Sequence, residues 1–542
     1  MKTHRPLESI RFPWLVGMGL LGATLLGTTP VEQAAAETYY LDAESGSDEH
    51  AGTSPEKPWK SLEKVNATIF APGDRLLLKA GTSYMGTLRL QGSGREEAVI
   101  VVDVYGEGAK PSIDAQGRHD EALLLRNVEY WEVNNLALAN KGEARAPFRA
   151  GVRLVVDDFG TARHVHLKGL HVHDVNGIIH DSSSPFGGVK VENRAGGIQW
   201  MTYNADAAKP SRFDGLLIEN CRVVGTDRDG ITGWAGHKDK GKWHPYDRRH
   251  WQPNLNVVIR GNVLEDIGGC GIVPRACVGA LVEGNVVRGA GLRVSSGTAG
   301  IWCWSCDDTV VQGNDVSGVR GPVRPDGRIV DGMGYDCDFN CRNSTFQYNY
   351  SHDNAGGFIG LFTGGAGFTT EKGNVGNIGT IIRYNISQND GAISRALFYH
   401  TPGNAQNVRI YNNAFFVGKD LDLKAFSQAL SEQYHVHNNV FHAEGKLSFA
   451  LPIRGPFSHN ALFGNIVAPP ANPSGLAVDP RMVAPGSGGS GRDSLTGYQL
   501  QPGSPLIGAG LLIEDNGGRD FWGNPVHGSR PPDIGAHGTS AK

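Results

Sequence analysis

Residues 257–289 read VVIRGNVLEDIGGCGIVPRACVGALVEGNVVRG, and this stretch carries the pattern that decides the fold. A short apolar strand ends at an Asn, as VVIRGN at Asn262 and ALVEGN at Asn285, and a second apolar strand follows each one. Side chains alternate between two faces along a strand, so such a segment buries every second residue. The stretch therefore predicts short strands joined by tight Gly and Asn turns.

The pattern recurs along most of the chain. Its other copies are LLIEN at Asn220, VVQGN at Asn314, FQYN at Asn349, IIRYN at Asn385, VRIYN at Asn412 and YHVHN at Asn438. The steps from Asn220 to Asn438 are 42, 23, 29, 35, 36, 27 and 26 residues. Such repeats predict a solenoid whose coils stack on their neighbours. We expect each Asn to be structural, because Asn tolerates a tight corner and its amide can bond to the next coil.

Composition excludes two classes of function. The chain has 542 residues, 20% of them charged and 39% hydrophobic, with a formal net charge of -4. Its 75 Gly residues are about twice the usual share and favour a turn-dense architecture. This balance is typical of a folded chain and argues against intrinsic disorder and nucleic-acid binding.

The two ends differ from the repeats. Residues 1–36 are interpreted as a signal peptide, because Lys2, Arg5 and Arg11 flank the start of an apolar run that ends before Ala34-Ala35-Ala36. We expect a secreted or periplasmic protein with no membrane contact once this segment is removed, and the oligomeric state stays open. Residues 37–90 are predicted to form an N-terminal cap and the first strands, residues 91–467 the solenoid, and residues 468–542 a linker and a C-terminal capping segment.

All seven cysteines lie between Cys221 and Cys341, and an odd number leaves at least one thiol unpaired within the chain. Four of them have spacings that a zinc site can use: Cys303, Cys306, Cys337 and Cys341. In an exported protein we favour disulfides or a stacked cysteine ladder over zinc.

Several motifs together resemble a known family. They are GDRLLLKAGTSY at residues 73–84, the Asn-centred coils, QYNYSHDN at residues 347–354 followed by Gly356-Gly357-Phe358, and PDIGA at residues 532–536. With them the chain resembles the exported right-handed parallel β-helix proteins of the pectate lyase-like superfamily over nearly all of its mature length. The resemblance implies an all-β, right-handed parallel β-helix. Members include polysaccharide lyases, glycoside hydrolases, epimerases and carbohydrate-binding tail proteins, so the reaction has to be argued from the site.

Alignment of the second strand of each coil predicts where that site lies. The aligned segments are GITGW at 230–234, GIVPR at 271–275, GIWCW at 300–304, GYDCD at 334–338, GFIGL at 357–361 and, less well matched, ALFYH at 396–400. If the second residue of each points inward, the third and fifth point outward. Coils about 4.8 Å apart then gather one outward patch. Its predicted members are Trp234, Arg275, Trp302, Trp304, Asp336, Asp338 and His400.

This patch suits a carbohydrate, because indoles pack on the C–H faces of sugars and carboxylates accept hydrogen bonds from hydroxyls. Asp336 and Asp338 are two apart on one strand, which places their carboxyl groups at roughly 5 to 7 Å, a separation used in glycoside hydrolysis. Two alternatives remain open. The tryptophans can complete a covered core, and the aspartates can bind Ca²⁺ or lie solvated in a turn.

Other segments supply further predicted site residues. In the loop from residue 236 to 251, Lys238, Lys242, Trp243 and Arg248 are predicted to bind acidic groups of the substrate, or else to form a solvated surface. His352 is predicted either to transfer protons with the aspartates or to cap the coil. His164, His166, His171 and His173 are interpreted as an imidazole ladder, since no clear carboxylate completes a metal site there.

The leading hypothesis is a secreted glycoside hydrolase without a cofactor that cleaves a complex polysaccharide, including an acidic one, with Asp336 and Asp338 as its carboxylate pair. An alternative is a polysaccharide lyase, in which Arg275, Lys238 or Lys242 is the base and the aspartates hold Ca²⁺. A third hypothesis is a non-catalytic carbohydrate-binding β-helix.

Overall fold

The structure is a computed structural model that describes residues 35–179, 194–203, 211–236, 248, 251–294, 296–323, 327, 329–364 and 373–539. Nearly all of the predicted signal peptide lies outside these ranges. Among the described residues, no helix combines the length and the apolar character that crossing a membrane requires.

Three series of parallel strands wind around one core as the faces of a parallel β-helix. Face A consists of fourteen strands: Thr38–Leu41, Arg75–Lys79, Ile100–Tyr105, Trp131–Asn134, Val165–Lys168, Leu217–Glu219, Val258–Arg260, Leu281–Glu283, Val310–Gln312, Thr345–Gln347, Ile381–Arg383, Val408–Tyr411, Tyr434–His437 and Phe457–Ser458. The predicted fold class is confirmed, and the first strands of the segment 37–90 belong to this face.

Faces B and C run beside each other and meet in the long strand Val440–Ser448. Face B consists of Ser83–Met85, Ser112–Asp114, Ala137–Asn140, His171–Val175, Arg222–Thr226, Val263–Ile267, Val286–Arg288, Asp315–Ser317, Tyr350–His352, Ile386–Gln388, Ala414–Val417, Val440–Ser448 and Ala461–Val467. Face C consists of Leu88–Leu90, Glu121–Arg126, Ala150–Asp157, Gly196–Tyr203, Asp229–Gly236, Ile272–Val273, Thr298–Cys303, Asp331–Cys337, Gly357–Leu361, Ala396–His400 and Asp422–Phe426.

Short strands fill the corner between faces C and A. They are Thr161–Arg163, Arg212–Asp214, Asn254–Leu255 and Cys277–Val278 in one group, and Cys341–Arg342, Asn377–Ile378 and Ala405–Gln406 in another. The inward side chains of all the faces form one apolar core that extends from Leu41 to Leu462.

A ladder of Asn side chains runs along the corner between faces A and B. After the first member, each side-chain oxygen accepts hydrogen bonds of 2.8–3.1 Å from the backbone N–H and the side-chain amide of the Asn one coil earlier. The members are Asn262, Asn285, Asn314, Asn349, Asn385, Asn413, Asn439 and Asn460. The structural role predicted for the repeated Asn is confirmed for this ladder.

Three of the predicted Asn residues lie one position before the ladder. Asn220, Asn412 and Asn438 have φ angles of 53°, 53° and 55°, in the left-handed region that Asn tolerates. Gly261 and Gly284 occupy the same corner in other coils, with φ angles of 64° and 63°. The sequence pattern attributed both the tight corner and the hydrogen bonds between coils to one Asn. In the structure, these two properties belong to two adjacent positions.

All seven cysteines lie in described residues, and each is buried as a free thiol. The disulfide alternative is therefore wrong, and the ladder alternative is confirmed for part of the set. The Cys303 sulfur lies 4.0 Å from that of Cys337 and 3.9 Å from that of Cys341. Cys306 does not join this group, so the four-cysteine zinc set does not form.

The terminal segments pack on the coils. The helix Leu62–Asn66 begins at the N-cap Ser61 and buries Leu62 and Val65 at the first coils. The C-terminal segment, which includes the 3₁₀ helix Arg492–Tyr498, lies along the side of the solenoid. Its contacts run from Asp315, which accepts from the Gly491 N–H, to Asn438, which accepts from the Leu511 N–H. Its apolar residues cover a row of tyrosines on the coils.

Candidate active site

The strand register on face C confirms the alignment of four coils. Ile231 pairs with Ile272, Ile272 with Ile301, and Ile301 with Tyr335. The Tyr335 side chain points into the core, where its hydroxyl lies 3.1 Å from the Asn314 carbonyl oxygen and 3.0 Å from the Tyr350 carbonyl oxygen. The residue after each of these inward side chains points outward, so the paired residues Trp302 and Asp336 are neighbours on the outward side of face C.

Arg275 is the centre of the outward patch. Its guanidinium lies over the rings of Trp234, Trp302 and Trp304, at 5.1, 5.6 and 4.7 Å from their centroids. Arg194 lies over Trp234 as well, at 4.9 Å. A guanidinium over an indole is attracted by the ring quadrupole, and more strongly where water is excluded. Arg275 is fully buried. Because its guanidinium contacts all three rings, the predicted grouping of Trp234, Arg275, Trp302 and Trp304 is present in the structure.

Burial of the two tryptophans agrees with one of the alternatives. Trp302 and Trp304 are 4% and 2% exposed, and with Cys270, Val273 and Ala299 they form an apolar cluster outside the main core. The rings of Trp304 and Phe339 meet edge to face at 5.6 Å. These indoles therefore contribute to packing, as the covered-core alternative states, whatever they contribute to binding.

Asp336 and Asp338 both belong to the outward patch and are both 7% exposed. Asp336 pairs with Trp302 on one side and with Gly360 on the other. The Asp338 carboxylate accepts a hydrogen bond of 2.8 Å from the Phe339 N–H. A Cβ placed on Gly360 would lie 3.0 Å from Asp336 Oδ1, so Gly at this position leaves room for that carboxylate.

The alignment of the last two coils is wrong by one residue. Tyr335 pairs with Ile359, and Ile359 pairs with Phe398, so Gly360 and Tyr399 are the outward residues. His400 falls in the inward column with Leu361 and is 4% exposed. Its Nε2 lies 3.2 Å from the Ala429 carbonyl, and burial lowers its pKa. The sequence alignment matches Gly357 to Gly334, whereas the strand register pairs Gly357 with Met333, so every later residue of the aligned segment falls one position away from its prediction.

His352 does not join the aspartates. It lies on face B, where it pairs with Ser317 and Gln388, whereas Asp336 lies on face C. Its ring stacks on Tyr350, and its two nitrogens face Asp353 at 2.8 Å and Asp315 at 3.3 Å. The capping alternative fits this position, and the predicted proton transfer with the aspartates does not.

Arg248 forms a bidentate ion pair with Asp307, with both N···O distances 2.7 Å. It also donates to the Asn340 carbonyl at 2.6 Å and lies over the Trp251 ring. These contacts hold Arg248 against the coils and leave its side chain only 12% exposed, so the structure gives Arg248 a structural role. The predicted binding residues Lys238, Lys242 and Trp243 lie outside the described residues.

Two residues that the alignment omitted extend the patch. Gln199 pairs with Thr232 and Met201 with Trp234, so the coil at Gly196–Tyr203 contributes to the same outward columns. The signal was present in the sequence, because Gly197-Ile198 repeats the Gly-Ile pair of Gly230-Ile231.

A cavity opens on the same face beyond Gly360. Its volume is about 830 Å³, and Asp331, Arg395, Tyr399, Lys424 and Ser427 are among its lining residues. Asp331 begins the strand that carries Asp336, and the Tyr399 ring lies 5.6 Å from that of Phe362. A pocket of this size accommodates a small ligand, and it is polar enough for a sugar.

No family model matches the chain. A curated relative, the lacto-N-biosidase of Bifidobacterium longum subsp. longum, is 26% identical over 641 aligned residues, which cover 96% of this chain and only 38% of that protein. The crystal structure of native GH136 lacto-N-biosidase from Eubacterium ramulus aligns with a TM-score of 0.59 at 25% identity, over 78% of this chain and 68% of that one.

The structure of XylC in complex with xylose aligns over 92% of this chain and 98% of that one, with a TM-score of 0.52 and 11% identity. This likeness shows the fold alone. Together with the strand register, the comparisons show a parallel β-helix that is similar in sequence to lacto-N-biosidases.

Proposed function

We propose that this chain is a glycoside hydrolase of the lacto-N-biosidase kind that acts on oligosaccharides, with Asp336 and Asp338 as its carboxylate pair. The observation that carries the proposal is the position of Asp336, which pairs with Trp302 on face C, with the second buried carboxylate, Asp338, two residues later. The similarity to lacto-N-biosidases along 96% of the chain supports the reaction class.

Hydrolysis of a glycosidic bond needs an acid that protonates the leaving oxygen and a carboxylate that acts as nucleophile or base. Two carboxyl groups on one strand face that are each largely removed from water disfavour double ionisation, because like charges at short range repel. The mechanism requires one group to be protonated while its neighbour is ionised. The buried indoles beside them exclude water from the reacting groups.

The test uses a chromogenic aryl glycoside of lacto-N-biose, and it measures kcat and KM for the wild type and three variants. Asp336→Asn and Asp338→Asn should each lower kcat on the order of a thousandfold, with little change in melting temperature, because the substitution is nearly isosteric. The matched control is Asp422→Asn, an exposed carboxylate on the same face, which should retain activity.

Three outcomes would contradict the proposal. Full activity in both Asn variants would mean that Asp336 and Asp338 are not the catalytic pair. Asp331→Asn, made in parallel, shows whether Asp331 takes the catalytic role of one of these two carboxylates. An unsaturated product that absorbs in the ultraviolet indicates a lyase. Activity lost on chelation and restored by Ca²⁺ indicates that the aspartates bind that ion.

A further inference from the structure

A second cluster of titratable side chains lies on face A, where the strands Trp131–Asn134 and Val165–Lys168 pair in register. Glu132 pairs with His166, and the corner residue His164 faces the same carboxylate. Glu132 Oε1 lies 3.0 Å from His164 Nε2 and 3.5 Å from His166 Nδ1. The three ligand atoms all lie within 4.8 Å of one another.

We propose that Glu132, His164 and His166 form a binding site for a divalent cation of borderline softness, such as Zn²⁺ or Ni²⁺. Imidazole nitrogen and carboxylate oxygen are ligands that these cations prefer. Zinc binds them at about 2.0–2.1 Å, which places ligand atoms about 3.4 Å apart around a tetrahedral ion. The distances of 3.0 and 3.5 Å need only small shifts to accept such an ion.

The neighbours of the cluster prepare it for a metal. Lys168 Nζ lies 3.0 Å from Glu132 Oε2, so it holds one oxygen and leaves Oε1 facing the imidazoles, as an outer partner of a metal ligand does.

The site is open to a solute as well as ordered. The side chains of His164, His166 and Glu132 are 33%, 17% and 23% exposed. The two imidazoles stack with centroids 3.7 Å apart, and Tyr130 stacks on the other side of His164 at 6.1 Å. Both rings therefore have a defined orientation before any ion arrives.

The carboxylate comes from the preceding coil, 32 residues before His164, and for this reason the histidine segment alone predicts only an imidazole ladder. A bound ion would join two successive coils of face A. It would stabilise the folded state by mass action and would leave the reaction on face C unchanged.

The experiment uses the purified mature chain without a histidine tag and after chelation of metals. Calorimetric titration with Ni²⁺ and Zn²⁺ should show binding to the wild type, with a rise in melting temperature. His166→Gln and Glu132→Gln should each lower the stoichiometry by one ion or weaken the affinity at least tenfold, and Co²⁺ should give a visible ligand-field spectrum with the wild type only.

His435→Gln is the matched control. His435 lies on the same face, with its ring 6.5 Å from that of His437, and its loss should not change binding. Metal-free melting temperatures of the variants show whether a loss of binding reflects misfolding. The proposal is overturned if wild type and His166→Gln bind Ni²⁺ and Zn²⁺ with equal stoichiometry and affinity, or if neither binds at submillimolar concentration.

Discussion

At the scale of the residue, the candidate site depends on side chains whose places are set by close packing. Asp336 faces Gly360, where a Cβ would lie 2.7 Å from both Met333 Cε and Phe362 Cε2 and 3.0 Å from Asp336 Oδ1. Contacts of this length force the methionine and the phenylalanine ring to move and press on the carboxylate. The position of the carboxylate is therefore sensitive to a single methyl group one coil away.

Gly360→Ala tests this sensitivity. We expect kcat on the aryl glycoside to fall about tenfold or more, because a small displacement of a catalytic group has a large kinetic cost. The melting temperature should fall by only a few degrees, since the flexible Met333 side chain can yield. Gly528→Ala is the control, because nothing lies within 4 Å of a Cβ there. Unchanged activity in Gly360→Ala would show that Asp336 is not held in a reactive position.

The sequence predicted part of this site and could not predict the rest. Trp302, Asp336 and Arg275 follow from alternation along aligned strands, and the structure brings them together. The prediction for His400 is wrong because alignment on glycines matches Gly357 to Gly334, whereas the strand register pairs Gly357 with Met333. His352 was grouped with the aspartates because sequence order does not tell which of three faces a strand joins.

At the scale of the element, the Asn ladder joins coil to coil. Asn349 accepts from the backbone and side chain of Asn314 and donates to the Val311 carbonyl and to Asn385. All of these groups are buried, so removing one amide leaves several polar atoms without a partner. The repeat was predictable, since it recurs in the sequence, but the choice between adjacent asparagines such as Asn412 and Asn413 requires the backbone conformation.

Asn349→Ala should lower the free energy of unfolding by about 2–4 kcal/mol, measured by denaturant titration. Asn220→Gly is the matched control: it occupies an exposed corner with φ of 53°, a conformation that Gly adopts without strain, and it should change little. Equal stability of the two variants would mean that the ladder contributes nothing beyond the apolar core.

The charge of His352 predicts a dependence of stability on pH. Burial would lower the pKa of His352, but hydrogen bonds to Asp315 and Asp353 outweigh burial and raise it to about 9. A histidine whose folded pKa exceeds its unfolded value stabilises the fold below about pH 6.5. That contribution is lost as the pH rises toward 9.

The free energy of unfolding of the wild type should therefore fall between pH 6.5 and 9 more steeply than that of His352→Gln. Asp390, whose pKa burial raises to about 7, contributes mainly below this window and is present in both proteins. Chemical denaturation at half-unit pH steps measures the difference. Parallel curves for the two proteins would show that His352 is not charged in the fold.

At the scale of the whole molecule, one apolar core runs through nearly all of the coils, and it contains buried free thiols. The odd cysteine count allowed up to three bridges, and spacing could not decide among them because the partners lie on different coils. Parallel strands in register stack the thiols of Cys303 and Cys337 at 4.0 Å without joining them. The fold is thus closed by packing and hydrogen bonds, and reduction should not weaken it.

Thiol accessibility is then a measure of the intact solenoid. All seven thiols are buried, and burial raises the pKa of Cys221 and Cys270 to about 12, so at neutral pH these two are unreactive thiols rather than thiolates. Without reductant, a thiol reagent should modify fewer than one cysteine per native molecule over minutes and all seven after addition of guanidinium. Dithiothreitol should leave the melting temperature unchanged, because the coils contain no disulfide to reduce. Only five reactive thiols in guanidinium, with an intact mass lower by two hydrogens, would reveal one disulfide and would require the stacked cysteines to rearrange.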